Sequence, residues 1–175
     1  MADTMHDRGR FWSPAPDFSQ APAGGGDGWS ARRRPGLGQT LLSGDLNSAI
    51  AALSPGAAEV GLWAVADAPA YAVRAARDRA LLVTPAPLDL EPGWRDGYVA
   101  TPCDDAYAVI ELSGPAIVDI IAEATAVDLG GGSRSAALLF AGVPALLYRS
   151  DPDTARLHVE APLAAYIWTW LEGRS

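Results

Sequence analysis

The chain has 175 residues, 49% of them apolar, and a formal net charge of −8, enough for one domain with a real core. That acidity argues against a general nucleic-acid or anionic-membrane binder. All 13 basic residues are Arg, which excludes a Schiff-base or P-loop lysine, and the single Cys103 excludes an internal disulfide and a Cys-based zinc site.

Residues 1–36 are rich in Pro, Gly, Ala, Ser and Arg and show neither helical nor strand period, so they read as an irregular arm. The opening MADTMHDRGRFW has no apolar core of the kind a secretory signal needs. Yet the arm holds Phe11, Trp12, Phe18 and Trp29, large aromatics that dominate interfaces when buried. The arm either docks on a partner or folds back over its own domain. Arg32, Arg33 and Arg34 close it with a basic cluster that could grip a phosphate or an acidic patch, or remain a solvated charge run.

Residues 37–175 read as one α+β domain. Leu46, Ile50 and Leu53 recur at i, i+4, i+7 behind Asp45 and ahead of Pro55-Gly56, predicting a short capped helix. Strands are expected over Val60–Val65, Tyr71–Arg74 and Ala80–Thr84, then an extended loop marked by Pro85, Pro87, Pro92 and Gly93, then a short strand at Val99–Thr101. Tyr107–Leu112 is a strand that breaks at Ser113-Gly114-Pro115 and turns into an apolar helix with Ile117, Ile120, Ile121 and Ala124 along one face. Two apolar strands, Ser135–Gly142 and Val143–Arg149, follow; the longest apolar run, Ala136–Tyr148, is broken by Gly142 and Pro144 and is too short to span a bilayer. A turn at Ser150–Asp153 leads to a strand at Leu157–Glu160. Pro162 then opens a second helix whose stripe is Leu163, Tyr166, Ile167, Trp170 and Leu171, with Trp168 falling on another side, free to cover a loop or meet a partner.

Chemistry is sparse. His158 and Glu160 share a strand face by alternation, and the favoured reading is an exposed pair. Asp104-Asp105 suits a turn better than a shared-proton dyad, because adjacent residues on an extended chain point opposite ways. Glu111, on the face of Tyr107 and Val109, reads as solvated. The glycine runs at 24–26 and 130–132 lack the strand–loop–helix context of a phosphate-binding loop. Cys103 has no activating base nearby in sequence and reads as an inert, buried or half-buried thiol.

The segments AYAVIELSGPAIVDIIAEATAVDL, LFAGVPALLYR and LHVEAPLAAYIWTWLEG resemble the γ subunit of heterotetrameric sarcosine oxidase, itself similar to part of the folate-binding aminomethyltransferase-type domain. The resemblance spans roughly Gly38 to Gly173 and is densest from Arg79 onward. It implies an antiparallel or mixed sheet with helices on one face, built from split β-α-β units. It also implies a non-catalytic subunit of a bacterial complex that oxidatively demethylates an N-methyl amino acid, sarcosine first, with tetrahydrofolate accepting the one-carbon unit. Larger α and β subunits and a small δ subunit would be the partners. FAD, FMN, NAD, tetrahydrofolate and zinc would sit in those other subunits, and none in this chain. The expected location is the cytoplasm. Partner-contact candidates are Phe11, Trp12, Phe18, Trp29, Arg32, Arg33, Arg34 and Trp168. The rival readings are a stand-alone folate-binding or methyl-transfer protein and a generic protein-interaction module.

Overall fold

Asp27-Gly28 turns the chain between β1 (Ala23–Gly26) and β2 (Trp29–Arg33), with Gly28 at φ +74°, a conformation a side chain would resist. This hairpin opens the computed structural model of the protein, which describes residues 23–174. Then come β3 (Gly38–Gly44), α1 (Leu46–Leu53), β4 (Ala58–Val60), β5 (Tyr71–Ala76) and β6 (Arg79–Thr84). β7 (Gly93–Arg95), β8 (Tyr98–Pro102), β9 (Tyr107–Ser113) and α2 (Ile117–Ala124) follow. The chain ends with β10 (Ala137–Phe140), β11 (Val143–Asp151), β12 (Thr154–Glu160), a 3-10 turn at Ala161–Leu163 and α3 (Ala164–Glu172).

The fold is α+β, with two six-stranded sheets instead of one. The first sheet is antiparallel in the order β1-β2-β9-β12-β11-β10. The second runs β4-β5-β6-β3-β8-β7, and only its β4–β5 pair is parallel. Strand alternation decides what lies between them. Ala108, Ile110 and Leu112 of β9 and Ala155, Leu157 and Val159 of β12 share a core with α2 and α3. Leu42, Ala80, Leu82 and Ala100 of the second sheet pack against Leu46, Ala49 and Ile50 of α1. The remaining faces meet each other: Tyr71, Val73, Leu81 and Val83 from one sheet touch Leu146 and Tyr148 from the other. The layers therefore run helix pair, sheet, sheet, helix. Each sheet carries helices on one face only, the outer one.

Local chemistry explains the helix starts. Asp45 caps α1 by accepting from the backbone N–H groups of Asn47 and Ser48 at 3.1 and 3.2 Å and from the Ser48 hydroxyl at 2.7 Å. The Ser48 bonds hold its carboxyl below the usual range. α2 begins two residues beyond Pro115, and the Ala116 N–H donates to the Gly28 carbonyl at 3.0 Å, tying that start to the β1–β2 turn. Among the described residues, no helix is long and apolar enough to cross a membrane.

Three sequence expectations change here. Residues 23–33, read as part of an irregular arm, form a hairpin whose β2 pairs with β9 in the register Ala31↔Leu112 and Arg32↔Glu111. Trp29 and Ala31 alternate into the helix-side core, so this segment buries enough apolar surface to become a strand. Phe11, Trp12 and Phe18 lie outside the described residues. The strand expected over Val60–Val65 ends at Val60, because the chain turns at Trp63, which sits at φ +59°. Finally, α3 is rotated from the expected stripe: it buries Ala164, Ile167, Trp168 and Leu171, while Tyr166 is 51% exposed. Tyr166 instead reaches back to donate to the Ala141 carbonyl at 2.9 Å, and Trp170 packs edge-on against Phe140.

Candidate functional site

The inner faces of the two sheets carry the polar groups of greatest consequence. In the first sheet, Tyr148, Arg156, Glu111 and Arg32 are cross-strand neighbours in one ladder across β11, β12, β9 and β2. His158 stands two residues along β12 on the same face. In the second sheet, Gln39 and Tyr71 flank Val83 in a ladder across β3, β6 and β5. Face-to-face packing brings the two ladders together.

The contacts form a continuous chain. Gln39 Nε2 donates to the backbone carbonyls of Asp104 and Tyr107, both at 3.1 Å, which fixes the amide orientation. Its Oε1 therefore accepts from His158 Nδ1 at 2.7 Å. His158 Nε2 then accepts the Tyr148 hydroxyl at 2.8 Å. The Tyr148 oxygen in turn accepts from Tyr71 at 2.9 Å, and Arg156 Nη1 donates to the Tyr71 oxygen at 2.7 Å. Arg156 also binds Glu111 Oε1 through Nε and Nη2, both at 2.9 Å, and Arg32 binds Oε2 through Nε at 2.8 Å and Nη2 at 2.7 Å. Arg34 Nε stands 4.0 Å from Oε1.

Each proton in this chain has one place to go, so the imidazole is neutral with its hydrogen on Nδ1. Full burial, helped by the Arg156 charge, lowers the His158 pKa to about 3. Burial, then the neighbouring Tyr71 hydroxyl, pushes the Tyr148 phenol well above its ordinary range. Among the described residues, no buried side-chain polar atom lacks a hydrogen-bond partner. A half-satisfied network of this kind would destabilise the core; a complete one fixes a single register between the sheets.

Openings border the network, one of about 270 Å3 beside Gln39, Arg34 and Asp104. A cleft of about 380 Å3 lies on the arginine side, with Arg34, Leu37, Asp67, Tyr71, Ser150 and Arg156 in its wall. A smaller, more apolar one of about 130 Å3 lies on the other side, reaching Leu41, Tyr107, Leu146 and His158. His158 is fully buried and both its ring nitrogens are engaged, so it is not poised as a base. Cys103 is half-buried, and burial raises its thiol pKa, the reverse of an activated nucleophile. Among the described residues, no three His, Cys, Asp or Glu side chains cluster as a metal site would require.

Several expectations are corrected by this geometry. His158, read as exposed, is buried at the centre, whereas Glu160 is exposed. Glu111, read as solvated, is 2% exposed and holds two arginines closely. Trp168, read as available to a partner, is 2% exposed; it lies under Gly24 of β1 and donates Nε1–H to Glu172 at 3.0 Å. Trp29 is buried too, in the same core. The hairpin that sequence reading missed covers Trp168 and contributes Trp29 to the same core. Arg32 and Arg34 turn inward to Glu111, and Arg33 sits opposite Ile110 in the β2–β9 register. The Asp104-Asp105 pair lies in a turn, where Asp104 Oδ1 accepts the Gln39 N–H at 2.6 Å. Gln39, Tyr71, Tyr148 and Arg156 went unread. Parity alone places His158 with Arg156 and Glu111 with Val109, but the second sheet that buries them has no local signature.

No protein-family model matches the chain, and no curated protein matches it. Among solved structures, the fold is similar to one chain of "Heterotetrameric Sarcosine Oxidase from Corynebacterium sp. U-96 in complex with pyrrole 2-carboxylate". The two are 19% identical, with a TM-score of 0.64 covering 83% of this chain and 82% of that one.

Proposed function

We propose that this protein is a structural, non-catalytic subunit of a multi-subunit flavin-dependent oxidase or dehydrogenase, of the γ-subunit type. The observation that carries the reading is the extent of the fold likeness, which covers more than four-fifths of both chains. A shared supersecondary motif would cover far less. Among the described residues every buried side-chain polar atom is hydrogen-bonded, which supports a role in which the chain packs and does not react. In this reading the complex oxidatively demethylates an N-methyl amino acid, sarcosine first, and tetrahydrofolate takes the one-carbon unit. FAD, FMN, NAD, tetrahydrofolate and zinc belong to the α, β and δ partners, and the assembly is a bacterial, cytoplasmic heterotetramer.

The contact candidates left by the fold differ from those expected, since Trp29 and Trp168 are covered. Trp94 on the edge strand β7 is 80% exposed, and Leu139 on the edge strand β10 is 58% exposed. Large exposed apolar residues on sheet edges suit a surface that another chain covers. The test is native mass spectrometry on the tagged protein isolated from its own host, with a visible spectrum of the eluate. Larger partners in fixed ratio, with flavin absorbance, are expected. A lone colourless chain would overturn the reading and leave folate-binding assays on the isolated protein as the next step.

A further inference from the structure

We propose that the cleft bounded by Arg34, Arg156 and Tyr71 is an oxyanion-binding site that takes a small dianion, a dicarboxylate or a phosphate. The argument begins with charge. Arg32, Arg34 and Arg156 converge on one carboxylate, Glu111, and with Asp67 in the cleft wall counted against them these groups still carry one positive charge in excess, in a chain whose net charge is −8. Glu111 cannot neutralise a third guanidinium at hydrogen-bond range, because Arg32 holds Oε2 and Arg156 holds Oε1.

Donor geometry points the same way. The Arg34 guanidinium makes no hydrogen bond to any described residue; its nearest acidic atom is Glu111 Oε1 at 4.0 Å. A guanidinium has five N–H groups in a rigid fork. Arg156 commits three of its own, from Nε and Nη2 to Glu111 and from Nη1 to Tyr71, and so keeps two. Both arginines line the same cleft of about 380 Å3. Arg156 is 16% exposed there and is locked by Glu111 and Tyr71, so it is pre-organised, while Arg34 is 47% exposed and can swing onto a ligand. The Arg34 main chain is itself anchored by its N–H donating to the Val109 carbonyl at 2.8 Å. Two forks on one small ligand favour bidentate recognition of carboxylate or phosphate oxygens. Ser150 also lines the cleft, and exposed Asp67 in its wall opposes the anion.

This site is independent of the subunit reading and is testable on the full chain alone. Sodium phosphate, sulfate and malonate are titrated at constant ionic strength, with NaCl as the balancing salt. Thermal unfolding and the 15Nε resonances of the arginines are followed together. At least one of the three is expected to bind saturably, moving the Arg34 resonance, and the ranking of the tetrahedral anions against malonate identifies the ligand class. Arg34→Gln, at a position whose side chain holds no hydrogen bond to the described residues, is expected to weaken binding at least tenfold. Asp67→Asn is expected to tighten it a few-fold. Arg77→Gln, on a surface turn away from the cleft, should change nothing. Absence of saturable binding by all three anions, or equal binding in Arg34→Gln, overturns the proposal.

Discussion

Replacing His158 with Gln tests the buried network through its pH dependence. The ring is fully buried, and its pKa falls from 6.5 to about 3, chiefly through burial and secondarily through Arg156. The sign follows from linkage. Below about pH 6.5 the unfolded chain takes up a proton at this position that the folded chain refuses until about pH 3, so stability declines as pH falls through that window. Each pH unit within it costs about 1.4 kcal/mol. From pH 7.5 to pH 5.0 the loss is about 2 kcal/mol, and pH 5.0 stays above the sequence pI of about 4.6, where precipitation would intervene. The charged and titratable groups around the ring, Arg156, Tyr148, Tyr71, Tyr107 and Glu160, remain in both proteins, so their contributions largely cancel in the difference. Urea unfolding of both proteins at the two pH values should show the stability gap narrowing by about 2 kcal/mol at pH 5.0. In the unsubstituted protein the His158 ring resonances should not move between those values. A constant gap, or a ring that titrates near pH 6.5, would refute the buried neutral imidazole and the hydrogen-bond polarity built on it.

Glu111→Gln should destabilise the fold by about 3 kcal/mol, because it leaves the largely buried Arg156 without its counter-charge. Arg32→Gln should cost less than about 1 kcal/mol, since that side chain is 63% exposed and solvent screens its pair. Urea midpoints of the two variants should rank in that order; equal effects would mean that Glu111 is not buried as described. Trp168→Ala should cost about 3–5 kcal/mol through the cavity left beneath β1, whereas Trp94→Ala should stay within about 0.5 kcal/mol. If the two tryptophan variants melt together, the rotation of α3 is wrong.

Elements whose formation depends on local signals were legible in the sequence. Asp45 and the Pro55-Gly56 stop bracket α1 at the expected residues, and the apolar face of α2 is the one its periodicity marks. β9 and β12 appear where alternation places them, each extended by one to three residues. The β1–β2 hairpin carried a readable signal too, Asp27-Gly28, but the surrounding Gly-rich composition resembles a linker. Its stability comes from β9, more than seventy residues away, and from α3, neither of which a local window contains.

The polar centre was misread for a different reason. Alternation correctly puts Glu111, Arg156 and His158 on the face opposite Ile110 and Leu157, and in a sheet with a single covered face that side is solvated. Here the opposite face is covered as well, by a second sheet. A charged row facing another sheet survives only if each group finds a partner, and that demand accounts for the residues facing it: Gln39 and Tyr71 supply what Arg156, Tyr148 and His158 need. A sheet interface lined only by leucine and valine would tolerate sliding by two residues with little change in buried area. The hydrogen-bonded row does not, because a shift of two residues would separate Gln39 from His158 and Arg156 from Tyr71 at once. The network thus sets the register between the sheets. The same requirement leaves Arg34 at the edge, where the single carboxylate of the row is already fully engaged.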